Sequence, residues 1–178
     1  MQITVESQTD FDAIAQLHVA AFGADEPIPK LVASLRDLDA PLVTQGFVAR
    51  DENGEVSGHI MISHGWLDAP DRMRDIYVLS PLGVHPTRQG TGIGTALVAH
   101  AIKSAAQSPA PLLFLEGNPA FYGPRGFVAA TSLGLRAPSL RIPEKAFQAC
   151  CLPAYEPGLS GSLVYRDLWW ALDCVGLR

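Results

Sequence analysis

Residues 82–97 read Leu-Gly-Val-His-Pro-Thr-Arg-Gln-Gly-Thr-Gly-Ile-Gly-Thr-Ala-Leu, which is an apolar strand end, a glycine-rich turn and a helix start in immediate succession. After the turn, Ile93, Leu97, Val98, Ala101, Ile102 and Ala105 recur at helical spacing, and the helix is expected to end near Ser108, ahead of Pro109 and Pro111. Leu112-Leu113-Phe114-Leu115 then forms a continuous apolar run of the kind buried on both faces of a sheet. A strand, a crossover helix and a second strand predict two neighbouring parallel strands with the helix on one face.

The turn itself has the chemistry of an anion site. Gly90, Gly92 and Gly94 stand at alternate positions and let the backbone approach a ligand, while the first N–H groups of the following helix lack internal partners. Those donors and the positive end of the helix dipole suit a phosphate or pyrophosphate. A tight strand-to-helix turn with no ligand is the alternative for the same residues. A Walker A loop is excluded, because no lysine follows the glycines. A dinucleotide fingerprint fails in both registers, since Gly90-x-Gly92 is followed by Thr95 and Gly92-x-Gly94 by Leu97. What remains is Q-x-x-G-x-G, filled by Gln89, Gly92 and Gly94.

Upstream, Ile3 to Glu6 alternates as a first strand, and Thr9 stands where a helix N-cap is expected, ahead of a helix over about 10–22. Lys30 to Arg36 predicts a short second helix. Gly46 to Arg50 and Glu55 to His64, separated by Asp51-Glu52-Asn53-Gly54, predict a hairpin. The run Ile76 to Val84 is the strand before the glycine turn, and Pro81 within it is expected to bulge or interrupt the strand. Beyond Ala129 prolines punctuate the chain, and only Gly161 to Tyr165 reads as a strand.

At 178 residues the chain is expected to form one domain over 1–178, with the segment 129–178 the least legible. A net charge of −5 and the lack of a basic run argue against nucleic acid as a partner. No apolar run has membrane-spanning length and the start lacks signal-peptide character, so a cytoplasmic protein without membrane association is expected. Cys150, Cys151 and Cys174 have neither zinc nor disulfide-framework spacing, which predicts reduced, mostly buried thiols and no bound metal.

A second constellation, Glu116-Gly117-Asn118-Pro119-Ala120-Phe121-Tyr122-Gly123-Pro124-Arg125-Gly126-Phe127, follows the second apolar strand. The Q-x-x-G-x-G turn resembles the acyl-CoA pyrophosphate loop of the GNAT superfamily of N-acetyltransferases. The Y-x-x-x-G-F pattern of Tyr122, Gly126 and Phe127 is similar to that superfamily's second signature, and the layout over residues 3–128 is most like its YhbS-like branch. The resemblance implies a mixed α+β fold with a central, largely antiparallel sheet whose parallel strands 4 and 5 splay apart, flanked by helices. It implies transfer of an acetyl group from acetyl-CoA to a primary amine, of a small molecule or a peptide, by direct attack in a ternary complex. A non-catalytic acyl-CoA-binding sensor is the alternative.

On this resemblance, main-chain groups of Leu82 and Val84 run alongside the pantetheine. Those of Gln89, Gly90, Thr91, Gly92, Ile93 and Gly94 hold the pyrophosphate, with the Thr95 hydroxyl able to assist. The Leu82 N–H faces the thioester oxygen, and Tyr122 returns a proton to the departing thiolate or else only shapes the pocket. Asn118 is a candidate pantetheine contact, although it lies four residues before Tyr122 where many members have seven. Glu116 is a candidate base or a turn cap, His59 and His64 are alternatives, and a water chain is also adequate. Arg88 and Arg125 either meet phosphates or are solvated. Trp169 and Trp170 are expected to pack the tail or a partner surface. Acceptor selection is expected from the first two helices, the Ala69 to Asp75 loop and the tail beyond Ala129, and a homodimer through the last strand is a further expectation.

Overall fold

The computed structural model describes residues 1–176. In chain order it contains β1 (Gln2–Val5), α1 (Phe11–Phe22), α2 (Ile28–Arg36), β2 (Gln45–Arg50), β3 (Val56–Asp68), β4 (Met73–Val84) and α3 (Ile93–Ala105). There follow β5 (Leu112–Glu116), α4 (Pro119–Tyr122), β6 (Val128–Ala129), β7 (Leu135–Arg136), β8 (Phe147–Cys151), β9 (Gly161–Val164) and α5 (Asp167–Ala171). The sheet runs β1-β2-β3-β4-β5-β8-β6, with β9 pairing both β3 and β7. Among the described residues only β4–β5 and β7–β9 are parallel, so the mixed, largely antiparallel sheet expected from the sequence is present.

Alternation along each strand sends neighbours to opposite faces. Val78 and Phe114 join Ile14, Leu31 and Leu35 of the first two helices, whereas Tyr77 and Leu113 join Leu97, Val98 and Ala101 of α3. Each such side chain is buried, a gain of roughly 1.5–3 kcal/mol apiece for the valines, leucines, Ile14 and Phe114. The sheet is thus held between α1, α2 and α5 on one side and α3 on the other.

The parallel contact is short. β4 and β5 pair only at Tyr77 opposite Leu113 and Val78 opposite Phe114, after which β4 runs on to Val84 with no strand on that edge among the described residues. Pro81 does not end the strand; Ser80 and Pro81 together stand opposite the single residue Met61, since Ile62 faces Leu79 and Ile60 faces Leu82. A residue without an N–H is accommodated at such a bulge because the ladder is already broken there. The bulge and the divergence from β5 occur in the same stretch, and together they open the cleft.

Several expectations are corrected. The first helix is preceded by a short 3₁₀ turn whose cap is Ser7, not Thr9: the Ser7 N–H and hydroxyl both donate to Asp10 Oδ2, each at 2.9 Å. A carboxylate able to take two donors outcompetes the threonine hydroxyl. β3 runs on to Asp68, past the predicted end at His64, β4 begins at Met73, ahead of the predicted Ile76, and β8, which covers the outer edge of β5, is the strand that the broken pattern after Ala129 concealed. β9 pairs with β3 over 162–164 and with β7 over 161–162. Of the thiols expected to be mostly buried, Cys150 is buried, Cys174 is half-buried and Cys151 is exposed. No helix among the described residues is long and apolar enough to cross a membrane.

Candidate active site

The glycine turn leaves β4 through a 3₁₀ turn at Pro86–Arg88 and enters α3 at Gly92, whose φ of +90° lies in the left-handed region that only glycine adopts readily. Gly90, at φ +76°, has the same requirement. No side chain caps α3, so its first N–H groups remain directed into the turn, with Ala96 the first to find a carbonyl, that of Gly92. The Gln89 amide donates to the Val84 carbonyl at 3.2 Å and the Thr91 hydroxyl to the Arg88 carbonyl at 2.6 Å. These two side chains therefore hold the loop's shape and leave its backbone donors free. The resulting groove, about 500 Å³, is lined by Leu82, Val84, Gln89, Gly92, Gly94 and Thr95 on one side and by Phe121 and Arg125 on the other.

Arg125 joins the two sequence signatures. Its guanidinium donates to Thr95 Oγ1 from Nε at 3.1 Å and from Nη2 at 2.5 Å, lies 3.8 Å from the centre of the Phe121 ring, and donates to the Phe121 carbonyl. It links the first turn of α3 to α4 at the rim of the groove. Arg88 is half-exposed and paired with Asp51 at 3.1 Å.

Tyr122 is carried by the single-turn helix α4, whose N-cap is Asn118: its Oδ1 accepts from the Ala120 N–H at 2.9 Å. That bond gives Asn118 a local role in setting where Tyr122 stands. The Tyr122 ring is packed edge-on between Phe121 and Phe127, with centroids 4.8 and 5.7 Å away. Gly117 makes room for it, since a Cβ there would lie 2.3 Å from Tyr122 Cε2. Burial pushes the Tyr122 phenol up to about 12 despite the nearby Arg125 charge, so its proton is retained throughout the neutral range.

On the far side of Leu82 lies a second cavity of about 320 Å³, reached through the cleft between β4 and β5. Leu79 to Leu82 form one wall, Glu116 and Tyr122 line its inner end, Phe22 to Ile28 contribute from the end of α1 to the start of α2, and Tyr165, Trp169 and residues 173–176 close it. Glu116 stands at the end of β5, where its Oε1 accepts from the Tyr165 hydroxyl at 2.7 Å and its Oε2 from the Gly176 N–H at 3.1 Å. Burial raises the Glu116 carboxyl above the usual carboxylate value, and the Tyr165 and Gly176 hydrogen bonds pull against that rise. Tyr165 is wholly buried and stays protonated as the donor, its pKa driven well above the ordinary phenol value by burial and by the Glu116 charge.

The two histidines considered from the sequence are elsewhere. His59 is fully buried, donating through Nε2 to Glu6 Oε2 at 3.1 Å, with its Nδ1 2.8 Å from His18 Nε2. Although burial opposes it, hydrogen bonds from His59 and Arg36 hold the Glu6 carboxyl down at about 2, while burial holds His18 down at about 3. The cluster is a buried tie between α1, α2 and β3. His64 is likewise fully buried, bonded to Asp75 at 2.7 Å with Arg166 3.2 Å away. Neither histidine lines this cavity, and the Ala69 to Asp75 loop, at the opposite end of β4, is not among its lining residues. Phe22, Glu26, Tyr165 and Trp169 carried no local signal, because each reaches the cavity through tertiary packing.

A family model described as Acetyltransferase (GNAT) family matches residues 11–127, spanning the glycine turn, the cleft and Tyr122. The chain belongs to the GNAT acetyltransferase family. Within it the chain is YhbS-like: it is 31% identical over 150 residues to the uncharacterized N-acetyltransferase YhbS of Escherichia coli K12, covering 83% of this chain and 85% of that one. It is 30% identical over 151 residues to the uncharacterized N-acetyltransferase YjhQ of the same strain, covering 82% and 79%. The crystal structure of Escherichia coli YhbS in complex with CoA superposes with a TM-score of 0.81 at 29% identity, covering 93% of this chain and 89% of that one. A GNAT acetyltransferase from Brucella melitensis in complex with acetyl-CoA gives 0.73 at 26% identity, covering 94% and 97%. A coverage of 93% carries the likeness past the residues that the family model matches.

Proposed function

We propose that this GNAT protein is an acetyl-CoA-dependent N-acetyltransferase acting on the primary amine of a small molecule by direct attack in a ternary complex. The observation that carries the reading is that the phosphate-binding groove and the cavity holding Glu116 and Tyr122 share Leu82, at the edge of β4 that β5 leaves unpaired. Solved GNAT relatives with CoA or acetyl-CoA bound support the choice of acyl donor. A 320 Å³ cavity is at the scale of small-molecule sites, which favours a small acceptor over a protein surface.

The roles of the residues follow from where each stands. Backbone donors of the Gln89 to Gly94 turn and the α3 N-terminus hold the pyrophosphate, with Thr95 and Arg125 at the rim. Main-chain groups of Leu82 and Val84 extend the pantetheine along the open strand edge, and the Leu82 N–H polarises the thioester carbonyl. Glu116 takes a proton from the acceptor ammonium. The freed amine attacks the carbonyl carbon, a C–N bond forms as the C–S bond breaks, and Tyr122 gives its phenolic proton to the leaving thiolate. The surplus proton on the acylated nitrogen passes to the Tyr122 phenolate, and water carries the proton held by Glu116 to solvent. Because Asn118 Oδ1 is engaged in capping, its contribution to the pantetheine falls to the side-chain amide N–H.

Substituting Gly92 tests the anchoring half of this account. Gly92→Val forces a β-branched residue into the left-handed region, at a cost on the order of 1–3 kcal/mol, and reshapes the turn. The expected result by calorimetric titration is a loss of acetyl-CoA affinity of roughly tenfold or more with the circular dichroism spectrum unchanged. Unaltered affinity would remove the turn from the binding site.

A further inference from the structure

On the acetyl-transfer reading, the acyl donor lies along an edge of β4 that is supported from one side only. Beyond Val78 no strand pairs with that edge among the described residues, so Leu82 to Val84 are held by β3 and by what packs behind them. The register decides which way each residue faces. The His85 N–H donates to the Ser57 carbonyl at 3.0 Å, and antiparallel pairs alternate between bonded and unbonded, so Gly83 opposite His59 is the next bonded pair. The N–H and C=O groups of Leu82 and Val84 therefore face the open edge, where the Gln89 amide already reaches the Val84 carbonyl.

Behind this segment lies a buried polar chain. Arg36 donates to Glu6 Oε1 from Nε at 2.9 Å and to Oε2 from Nη2 at 2.8 Å, while His59 Nε2 donates to Glu6 Oε2 at 3.1 Å. His59 Nδ1 is 2.8 Å from His18 Nε2, and both rings are fully buried. Burial lowers the pKa of both imidazoles, so each carries one proton. His59 directs its proton to Glu6, which makes its Nδ1 an acceptor and makes His18 donate from Nε2. His18 Nδ1 is then a bare lone pair, and it has no hydrogen-bond partner among the described residues.

That atom is pressed against the strand. A Cβ at Gly83 would lie 2.8 Å from His18 Nδ1 and 2.9 Å from His18 Cε1, so only a residue without a side chain admits the ring. The same ring stacks on Phe22, which lines the acceptor-side cavity, at 5.7 Å. His59 thus holds Gly83 along the sheet through its backbone and from behind through His18. Apolar side chains would fill this space at less cost than buried polar groups and an unmatched acceptor. What a chain of directional hydrogen bonds adds is a fixed position.

We propose that Arg36, Glu6, His59 and His18 form a strut that sets the position of Gly83 and thereby aims the Leu82 N–H at the thioester oxygen. None of the four lines the groove or the cavity, so they are positioning residues that act through Gly83. The inference rests on the acetyl-transfer reading and deepens it, giving a backbone contact a side-chain support that mutation can reach.

Isotope-edited infrared spectroscopy of bound acetyl-CoA, labelled at the thioester carbonyl carbon, reads that contact without turnover. In the unmodified protein the carbonyl band is expected below its position in free acetyl-CoA. His18→Leu deletes the donor, so the band should move back toward the free value and kcat should fall roughly tenfold or more. The Kd for acetyl-CoA should stay within about threefold, because the pyrophosphate is anchored separately. His18→Gln keeps an N–H donor at similar reach and should recover most of both. Arg36→Gln, at the outer end of the chain, should shift the band in the same direction and serves where His18→Leu does not fold. A band and kcat unmoved by His18→Leu or, in its place, by Arg36→Gln overturn the strut and leave acetyl transfer standing. So does an equal effect of His18→Leu and His18→Gln. A band at the free position in the unmodified protein would overturn the Leu82 contact, and the strut with it.

Discussion

Tyr122→Phe is expected to lower kcat by a factor on the order of 10² or more, with the Kd for acetyl-CoA changed by no more than about threefold. The substitution removes one oxygen and keeps the ring wedged between Phe121 and Phe127 over Gly117, so the packing that shapes the cleft survives. On the proposed mechanism what is lost is a proton donor, kept loaded at neutral pH by a pKa of about 12. The thiolate must then leave unprotonated or draw on water, and the penalty falls on the step that breaks the C–S bond. Stopped-flow single-turnover kinetics separates this from slow release of products. A variant with undiminished single-turnover rate would reduce Tyr122 to a wall of the pocket.

The second large effect concerns Glu116 and its buried supporter. As a base Glu116 must be ionised, so kcat/KM falls as pH drops through its pKa, and burial places that acid limb above the usual carboxylate range. Glu116→Gln should cut kcat/KM by about 10² and erase the limb. Tyr165→Phe deletes the 2.7 Å hydrogen bond that favours the ionised form, so the Glu116 pKa rises further and the limb moves to higher pH while the alkaline plateau changes little. A tyrosine that only fills space would lower activity equally at every pH. The diagnostic is therefore the displacement of the limb, read from full pH profiles of the three proteins. A limb that persists in Glu116→Gln would pass the base role to water.

How much of this was legible in the sequence depended on whether a signal was local. The turn at Gln89 to Gly94 was readable because positive φ demands glycine and helix N-termini demand acceptors, both properties of adjacent residues. Pro81 announced a broken ladder, and the bulge opposite Met61 is that break. Tyr122 was found through the resemblance of the pattern it forms with Gly126 and Phe127 to a signature of the GNAT family. Glu116 was placed at a strand end, but its two hydrogen bonds come from residues 49 and 60 positions away, which no local pattern encodes. The histidines misled for a related reason: alternation gives the face of a strand residue, whereas only the packing of α1 and α2 over β3 shows that His59 points at Glu6 and His18. The tail was obscure because its strands are short and cross-paired, β9 lying between β3 and β7. Its contribution to the cavity emerges only from that pairing.

The alternative to catalysis is a module that binds the acyl donor and goes no further, and one measurement separates the two. Purified protein at micromolar concentration is mixed with acetyl-CoA, with and without a panel of small primary amines, and free CoA is followed by thiol titration while mass spectrometry tracks the amine. Amine-dependent release of CoA, matched mole for mole by an N-acetylated product and abolished by Tyr122→Phe together with Glu116→Gln, is the result expected. Saturable acetyl-CoA binding with no release of CoA to any amine would contradict it, and the cleft between β4 and β5 would then be a sensor's pocket.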